Sequence, residues 1–141
     1  MSLKIQHVDT KYIHQVWSMV DHWLIPVFEK SVLSKYYSID NLKEYIIRGE
    51  QMLLVFVDDA GVLPGALTVQ WDSHPKAKIA NVTSFGGMFG YSSEHYNLFI
   101  DFCKAMGATR IECSCRPSVA RLLKHKMGFT PSTHIHLELE I

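Results

Sequence analysis

The spacing of hydrophobic and polar residues changes repeatedly between the two-residue period of strands and the ~3.6-residue period of helices. These changes divide the chain into strands and helices. Apolar runs or strict alternation, rich in β-branched and aromatic residues, predict six strands. The predicted strands cover residues 3–8, 51–58, 62–71, 77–85, 109–115 and 133–141. Apolar residues spaced three and four apart predict four helices. The predicted helices cover residues 11–25, 40–48, 93–106 and 117–127, so the order is β-α-α-β-β-β-α-β-α-β.

This order predicts an α/β (α+β) fold with one mixed, mostly antiparallel central sheet and helices on both faces. Three consecutive strands, ending with 77–85, should form an antiparallel meander. The connection from 77–85 through a helix to 109–115 should be parallel and right-handed. A chain of 141 residues without linkers or repeats is expected to form one domain, 1–141.

Several residues predict where these elements begin and end. Thr10 is expected to cap the first helix, and Pro26 to end or kink it. Ser38 or Asp40 should cap the second helix. Pro64 with the following glycine predicts a bulge or an edge position at the start of the 62–71 strand, and a loop is expected over residues 71–75.

The C-terminal sequence THIHLELEI alternates strictly, which predicts a final strand. Its apolar face would carry Ile135, Leu137, Leu139 and Ile141, and its polar face His134, His136, Glu138 and Glu140. This strand can pair within the monomer or with a second copy in a homodimer. His134, His136 and Glu138 share a face and could meet a metal, but a solvated outer face is favoured and no metal site is predicted.

Composition excludes several classes of function. The chain has 14 basic and 14 acidic residues and no basic stripe, so nucleic acid is not an expected partner. No apolar run approaches the ~20 residues of a membrane span, and the start is too polar for a signal peptide. The three cysteines, Cys103, Cys113 and Cys115, are expected to be small buried thiols. These features favour a cytoplasmic location.

Residues 77–129 are the stretch most suggestive of chemistry. They read as a strand, a glycine-rich loop, a helix, a strand and a helix. Backbone N–H groups at a helix start, together with the helix dipole, form an anion site. The run Gly86-Gly87-x-x-Gly90 does not have the spacing of a dinucleotide fingerprint, and no phosphate-loop lysine motif or Ser-His-Asp order is present.

The element order, with Met-Gly-Phe after the last helix, resembles the GNAT N-acetyltransferase superfamily over nearly the whole chain. The family's acetyl-CoA loop, Q/R-x-x-G-x-G/A, corresponds to residues 87–92. Gly90 matches this motif, whereas Gly87 and Ser92 replace its first and last residues. The resemblance implies that acetyl-CoA, as a substrate, is held by Phe85, Gly86, Gly87, Phe89, Gly90, Tyr91, Ser92 and Arg116.

The last helix is similar to the family pattern N-x-x-A-x-x-L-Y-x-x-x-G-F. The matching residues are Ala120, Leu123, Gly128 and Phe129. Pro117 replaces the Asn, and Lys124 replaces the Tyr that in many members protonates the leaving thiolate. Lys124 is therefore the candidate acid.

The general base has no clear candidate, because residues 77–86 contain no carboxylate. Asp72, His74 and His95 are the nearest titratable residues, and histidine accepts protons readily near neutral pH. The candidate catalytic residues are Lys124, His95 and Asp72. Arg116, directly after a predicted strand, could contact a phosphate or a substrate carboxylate.

Two functions follow as hypotheses. The first is an N-acetyltransferase that moves an acetyl group from acetyl-CoA to a small-molecule or protein amine. The second is a non-catalytic protein of the same fold, such as a structural or binding component of a tailed phage. It would be virion-associated and would not have retained acetyl-CoA. The sequence Cys-Ser-Cys-Arg before an apolar helix resembles phage members of the family.

Overall fold

A computed structural model describes residues 3–87 and 93–141 and shows one β-sheet between two layers of helices. In the described residues the strands are β1 (Leu3–His7), β2 (Met52–Asp58), β3 (Gly65–His74), β4 (Ala77–Gly87) and β5 (Arg110–Cys113). The helices are α1 (Ile13–Glu29), α2 (Ile39–Ile47), α3 (Ser93–Ala105) and α4 (Pro117–Met127). Short 3₁₀ helices span Thr10–Tyr12 and Val32–Lys35.

The strands lie side by side in chain order, β1-β2-β3-β4-β5. From β1 to β4, each strand is antiparallel to its neighbours. β5 runs parallel to β4 after the crossover through α3. The predicted mixed, mostly antiparallel sheet and its parallel crossover are therefore confirmed.

Each face of the sheet carries its own hydrophobic core. Leu53 and Val55 of β2 pack under α1 and α2, whereas Leu54 and Phe56 of the same strand pack under α3. Because β2 is covered on both faces, its sequence is a continuous apolar run rather than an alternation. Helices on both faces, as predicted, are thus present.

The first helix differs from its prediction at both ends. Thr10 does not cap it. Asp9 accepts the Lys11 N–H at 3.0 Å and starts a 3₁₀ turn instead, and α1 begins at Ile13. Pro26 does not end the helix, which continues to Glu29. The proline loses one helical hydrogen bond, but the last turn buries Phe28 completely, and that burial keeps the chain helical.

The second helix begins with a reciprocal cap. The Ser38 hydroxyl accepts the Asn41 N–H at 3.1 Å, and the Asn41 side chain accepts the Ser38 N–H at 3.0 Å. Of the two predicted caps, Ser38 rather than Asp40 holds the position. This satisfies N–H groups that have no partner inside the helix.

The third strand also differs from its prediction. Gly65 pairs with Phe56 on one side and Gly87 on the other, so the start of β3 is neither an edge nor a bulge. The register shift lies further along, between Thr68 and Val69. β3 continues through residues 71–74, expected to be a loop, because they pair with the start of β4 across a two-residue turn.

The predicted C-terminal strand is wrong. Residues 128–141 contain no strand, and residues 130–141 are all exposed. Alternation specifies which side chains share a face, but a strand also needs a neighbour to accept its backbone hydrogen bonds. No other strand pairs with this segment in the described part of the chain.

Candidate functional site

The pairing between the two parallel strands stops before β4 ends. Their pairing runs from Ile79–Arg110 to Val82–Cys113 and stops there. β4 continues for five more residues to Gly87, still paired with β3, whereas β5 ends. The edge of residues 83–87 that faces away from β3 is therefore not paired with β5, at the end of the sheet where α3 and α4 both begin; we call the space beside this edge the gap.

Two glycines allow close packing at the end of β4. A Cβ on Gly86 would collide with the carbonyl oxygen of Trp23 in α1. Gly87 has φ +129°, and a Cβ there would collide with Pro64 and Gly65. Only glycine fits these contacts without displacing backbone. Gly86 thus brings β4 directly against α1, and Gly87 brings it against the start of β3.

A small apolar cavity of about 40 Å³ lies beside the gap, under α3 and α4. It is lined by Phe56, Leu67, Val82, Phe85, His95, Tyr96, Phe99, Cys113, Leu123, Met127 and Phe129. Since one water needs ~10–15 Å³ measured this way, the space would hold roughly three waters or one small group.

Of the side chains that line this cavity, His95 is the one that can act as a base near neutral pH. It lies in the first turn of α3, and both ring nitrogens are shielded from solvent. Its ring meets the Phe56 ring edge-on, with centroids 4.9 Å apart. Burial lowers the pKa of His95 below its usual value, with Glu94 opposing the shift. The imidazole is therefore neutral at pH 7 and able to accept a proton.

Cys113 ends β5 and lines the same cavity. Burial, assisted by neighbouring Cys115, raises the pKa of the Cys113 thiol to about 12. Burial likewise raises the pKa of Cys103 to about 12. Both groups are thiols at neutral pH and poor nucleophiles. Cys115 is exposed, so only two of the three cysteines are shielded as the sequence predicted.

The structure brings together four of the sequence-predicted site residues. Phe85 and His95 line the cavity, and Gly86 and Gly87 form the adjacent strand end. The predicted Phe89, Gly90, Tyr91 and Ser92 lie outside the described residues.

Asp72 and His74 lie elsewhere. Asp72 pairs with Ile79 near the start of β4, and its carboxylate accepts a hydrogen bond from Asn81. Eight residues separate Ile79 from Gly87, a distance of roughly 26 Å along a strand. His74 is exposed at the β3–β4 turn, at the same far end.

Arg116 lies at the start of α4, and Lys124 lies in its last turn. Arg116 is the exposed N-cap of this helix, three residues after β5 ends. Because β4 and β5 are parallel, Arg116 lies at the same sheet edge as Gly87. Lys124 is exposed, whereas the adjacent Leu123 points into the cavity. Successive helical residues diverge by ~100°, so Lys124 faces away from the cavity.

Sequence reasoning missed a buried polar network. Thr68 contacts the hydroxyls of Thr83 at 2.6 Å and Ser84 at 2.5 Å. Thr83 donates to Gln51 at 2.7 Å, and Gln51 donates to the Tyr37 hydroxyl at 3.2 Å. Threonine and serine inside otherwise apolar strands were the signal for it. Burial raises the pKa of Tyr37, although the hydrogen bond from Gln51 opposes this shift.

Metal ligands do not gather in the part of the chain that the structure describes. No group of three or more His, Cys, Asp or Glu residues is placed to hold a metal ion there. His136 contacts Glu138 at 3.3 Å, and Glu138 also bonds Lys35.

Within residues 3–87 and 93–141, each helix is too short or too polar to cross a lipid bilayer.

Comparison with known proteins identifies the fold. No family model and no curated protein matches the sequence. A probable acetyltransferase superposes with a TM-score of 0.68 at 12% identity, over 98% of both chains. AAC(6')-Iy in complex with the bisubstrate analog CoA-S-monomethyl-acetylneamine gives 0.66 at 11% identity, over 100% of this chain and 99% of that one.

A predicted acetyltransferase from Clostridium acetobutylicum, solved with acetyl-CoA, gives a TM-score of 0.62 at 11% identity, over 99% of this chain and 96% of that one. These matches extend over nearly the whole length of each protein. The chain therefore has the GNAT fold that its sequence predicts. At such low identity the likeness establishes the fold alone.

Proposed function

We propose that this protein is an N-acetyltransferase that moves an acetyl group from acetyl-CoA to an amine. The observation that carries the proposal is that the pairing of β4 and β5 stops after Val82–Cys113 while β4 continues to Gly87. This arrangement leaves a gap that is flanked by a strand edge, two helix starts and an apolar cavity. GNAT-fold proteins solved with acetyl-CoA or a CoA bisubstrate analog support the same assignment.

The gap suits the donor's shape and charge. Acetyl-CoA has an extended arm with amide groups and a pyrophosphate. Residues 83–87 offer a strand edge along which such an arm can lie, with Phe85, Gly86 and Gly87 against it. The starts of α3 and α4 provide partial positive charge at the same edge, and Arg116 adds a full charge for phosphate. Phe89, Gly90, Tyr91 and Ser92 would complete the phosphate contacts.

The cavity suits a short acyl group. At about 40 Å³ it accepts an acetyl methyl but not a long chain. Its apolar walls, including Val82 and Leu123, exclude water from the thioester. We therefore expect acetyl-CoA to be used in preference to long-chain acyl-CoA.

The reaction is a direct transfer. The neutral amine nitrogen attacks the thioester carbonyl carbon, a C–N bond forms, and the C–S bond breaks. His95, neutral because burial lowers its pKa, accepts the proton that the amine loses. Cys113 is a thiol with a pKa raised to about 12 by burial, so an acyl-cysteine intermediate is disfavoured. Since Lys124 faces solvent, we assign protonation of the leaving thiolate to water.

Binding is tested first by thermal unfolding with and without acetyl-CoA. A ligand at 100 times its dissociation constant stabilises by about 2.7 kcal/mol, which raises Tm by several degrees. Gly90→Trp should abolish the shift. Gly61→Trp has nothing within 4 Å of its Cβ position but φ +78°, so it should lower Tm through backbone strain and still retain the acetyl-CoA shift. No shift in the wild-type protein would contradict the proposal.

Catalysis is tested separately by release of free CoA in the presence of a panel of amines. His95→Gln should lower kcat by roughly 10²–10⁴-fold, the usual contribution of a general base. The acetyl-CoA thermal shift should persist in this variant. Full activity in His95→Gln would remove His95 from the mechanism without affecting the assignment of the donor site.

A non-catalytic role is the second candidate, supported by one observation. Of the three catalytic residues predicted from the sequence, only His95 lines the cavity. A protein that binds acetyl-CoA but transfers acetyl to no amine in the panel would favour that role. Capsid or tail genes beside its own would favour the phage component predicted as the alternative.

A further inference from the structure

Cys113 and Cys115 lie two residues apart at the point where β5 ends. Cys113 is the last residue of β5 and is half-buried, whereas Cys115 is exposed in the connection to α4. The Cys115 thiol lies close enough to hydrogen-bond that of Cys113, and this contact adds to the burial that raises the Cys113 pKa. The two sulfurs are therefore neighbours, although only one of them belongs to an exposed residue.

The backbone between the two cysteines allows a disulfide. Cα atoms two residues apart are separated by at most about 7 Å, even in an extended chain. Disulfides usually join Cα atoms that are roughly 4.4–6.8 Å apart. The pairing of β5 with β4 stops at Cys113, and residues 114–116 lie between β5 and α4. Cys115 can therefore approach Cys113 without breaking a strand pair.

Exposure sets the order in which the two thiols react. A small oxidant in solution reaches the exposed Cys115 first. Cys113 lines the apolar cavity, and because burial raises its pKa to about 12, it is a poor nucleophile towards solutes. It lies, however, directly beside whatever group forms on Cys115. Cys115 is thus suited to react with the oxidant, and Cys113 to react with the oxidised Cys115.

Cys103 provides an internal reference. It lies in α3 and is only 1% exposed, and burial raises its pKa to about 12. An oxidant in solution therefore reaches Cys103 much more slowly than Cys115.

We propose that Cys113 and Cys115 form a site of reversible oxidation, at which hydrogen peroxide converts the two thiols into a disulfide. The Cys115 sulfur attacks one peroxide oxygen, the O–O bond breaks, and a sulfenic acid and water form. The Cys113 sulfur then attacks the Cys115 sulfur, an S–S bond forms, and the S–O bond breaks. The hydroxyl leaves as water with the Cys113 proton. The two thiols lose two electrons, and one peroxide is reduced to two waters.

The bridge protects Cys115 from irreversible oxidation. A sulfenic acid without a thiol partner is oxidised further to sulfinic acid, whereas a disulfide is returned to two thiols by a reductant. Because Cys113 also lines the cavity beside His95, the bridge couples oxidation of an exposed residue to a wall of that cavity. This inference does not depend on the proposed transferase activity.

Mass spectrometry of the full chain after treatment with hydrogen peroxide tests the site. Trypsin leaves both cysteines in the peptide 111–121, because Pro117 protects the bond after Arg116, and it leaves Cys103 in the peptide 79–104. The peptide 111–121 should lose about 2 Da and regain it with dithiothreitol. Cys103 should remain a free thiol that iodoacetamide alkylates after unfolding.

Two alanine variants are matched for the comparison. In Cys113→Ala, dimedone should trap a sulfenic acid on Cys115, and without dimedone at least about tenfold more sulfinic acid should accumulate than in the wild type. Cys103→Ala should form the bridge as the wild type does. Circular dichroism confirms that each variant is folded. Cys115→Ser, changed at an exposed position, should leave Cys113 a thiol, and it tests the site if Cys113→Ala does not fold.

Three results would overturn the proposal. The first is a disulfide between two copies through Cys115, seen as a dimer on a non-reducing gel. The second is oxidation of Cys103 as fast as that of Cys115. The third is equal sulfinic acid on Cys115 in the wild type and in Cys113→Ala, because Cys113 would then give no protection.

Discussion

His95 lies in the first turn of α3 with both ring nitrogens shielded from solvent and its ring against Phe56. In the sequence it was one of three titratable candidates near the glycine-rich loop. The structure separates it from Asp72, which lies at the far end of β4, because strand direction and not distance along the chain decides which residues meet. Lys124 faces solvent although its neighbour Leu123 does not, because successive helical residues point ~100° apart.

Burial of His95 should make stability depend on pH. Because burial lowers the folded pKa below the unfolded value of ~6.5, the unfolded state binds more protons between the two values. This stability is fully present above ~6.5 and is lost as pH falls through the folded pKa. In urea unfolding at pH 8 and pH 5, His95→Gln should lose less stability on acidification than the wild type.

Exposed His14 provides the control for this measurement. His14→Gln should retain the wild-type dependence on pH. An equal loss of stability in the wild type and in His95→Gln would show that His95 is not buried as a neutral group.

At the scale of elements, the start of the second helix is set by residues that are close together in the chain. Ser38 precedes an apolar pattern with Asn41 three residues later, and the pair forms the reciprocal cap. Such a cap joins residues three positions apart, so the sequence limited the cap to Ser38 or Asp40, and the structure selects Ser38. The end of α1 was not predictable in this way, since its last turn is stabilised by burial of Phe28 in the core.

Ser38→Ala should lower the free energy of unfolding by about 1 kcal/mol, because the Asn41 N–H loses its acceptor at the helix start. Ser38→Gly should lower the free energy of unfolding by only about a few tenths of a kcal/mol, since glycine is tolerated at N-caps. Chemical denaturation of the two variants beside the wild type measures both effects. Equal losses in the two variants would indicate that the hydroxyl does not act as a cap.

At the scale of the whole molecule, the buried polar network joins separate parts of the fold. Thr68 of β3 contacts Thr83 and Ser84 of β4, and the chain of bonds continues through Gln51 to Tyr37, beside α2. Each buried hydroxyl has a partner, as groups removed from water require. The network therefore links the sheet to the α1–α2 layer.

Thr68→Val should destabilise the protein by about 1–3 kcal/mol, because it keeps the side-chain shape but removes the partner of the buried Ser84 hydroxyl. The free energy of unfolding in urea measures this loss. Thr130→Val, at an exposed position after α4, should change stability by less than about 0.5 kcal/mol. A neutral Thr68→Val would mean that the Ser84 hydroxyl finds another partner.

The sequence by itself determined the succession of elements from β1 to α4, the mixed sheet and the parallel crossover. Hydrophobic period, cap residues and glycines are local signals, and each is readable within a few residues. Only the tertiary structure decided where the pairing of β4 and β5 stops, that His95 rather than Asp72 lies at the cavity, and that residues 133–141 form no strand. Those outcomes depend on which strands are neighbours, and neighbours far apart in the chain leave no local pattern.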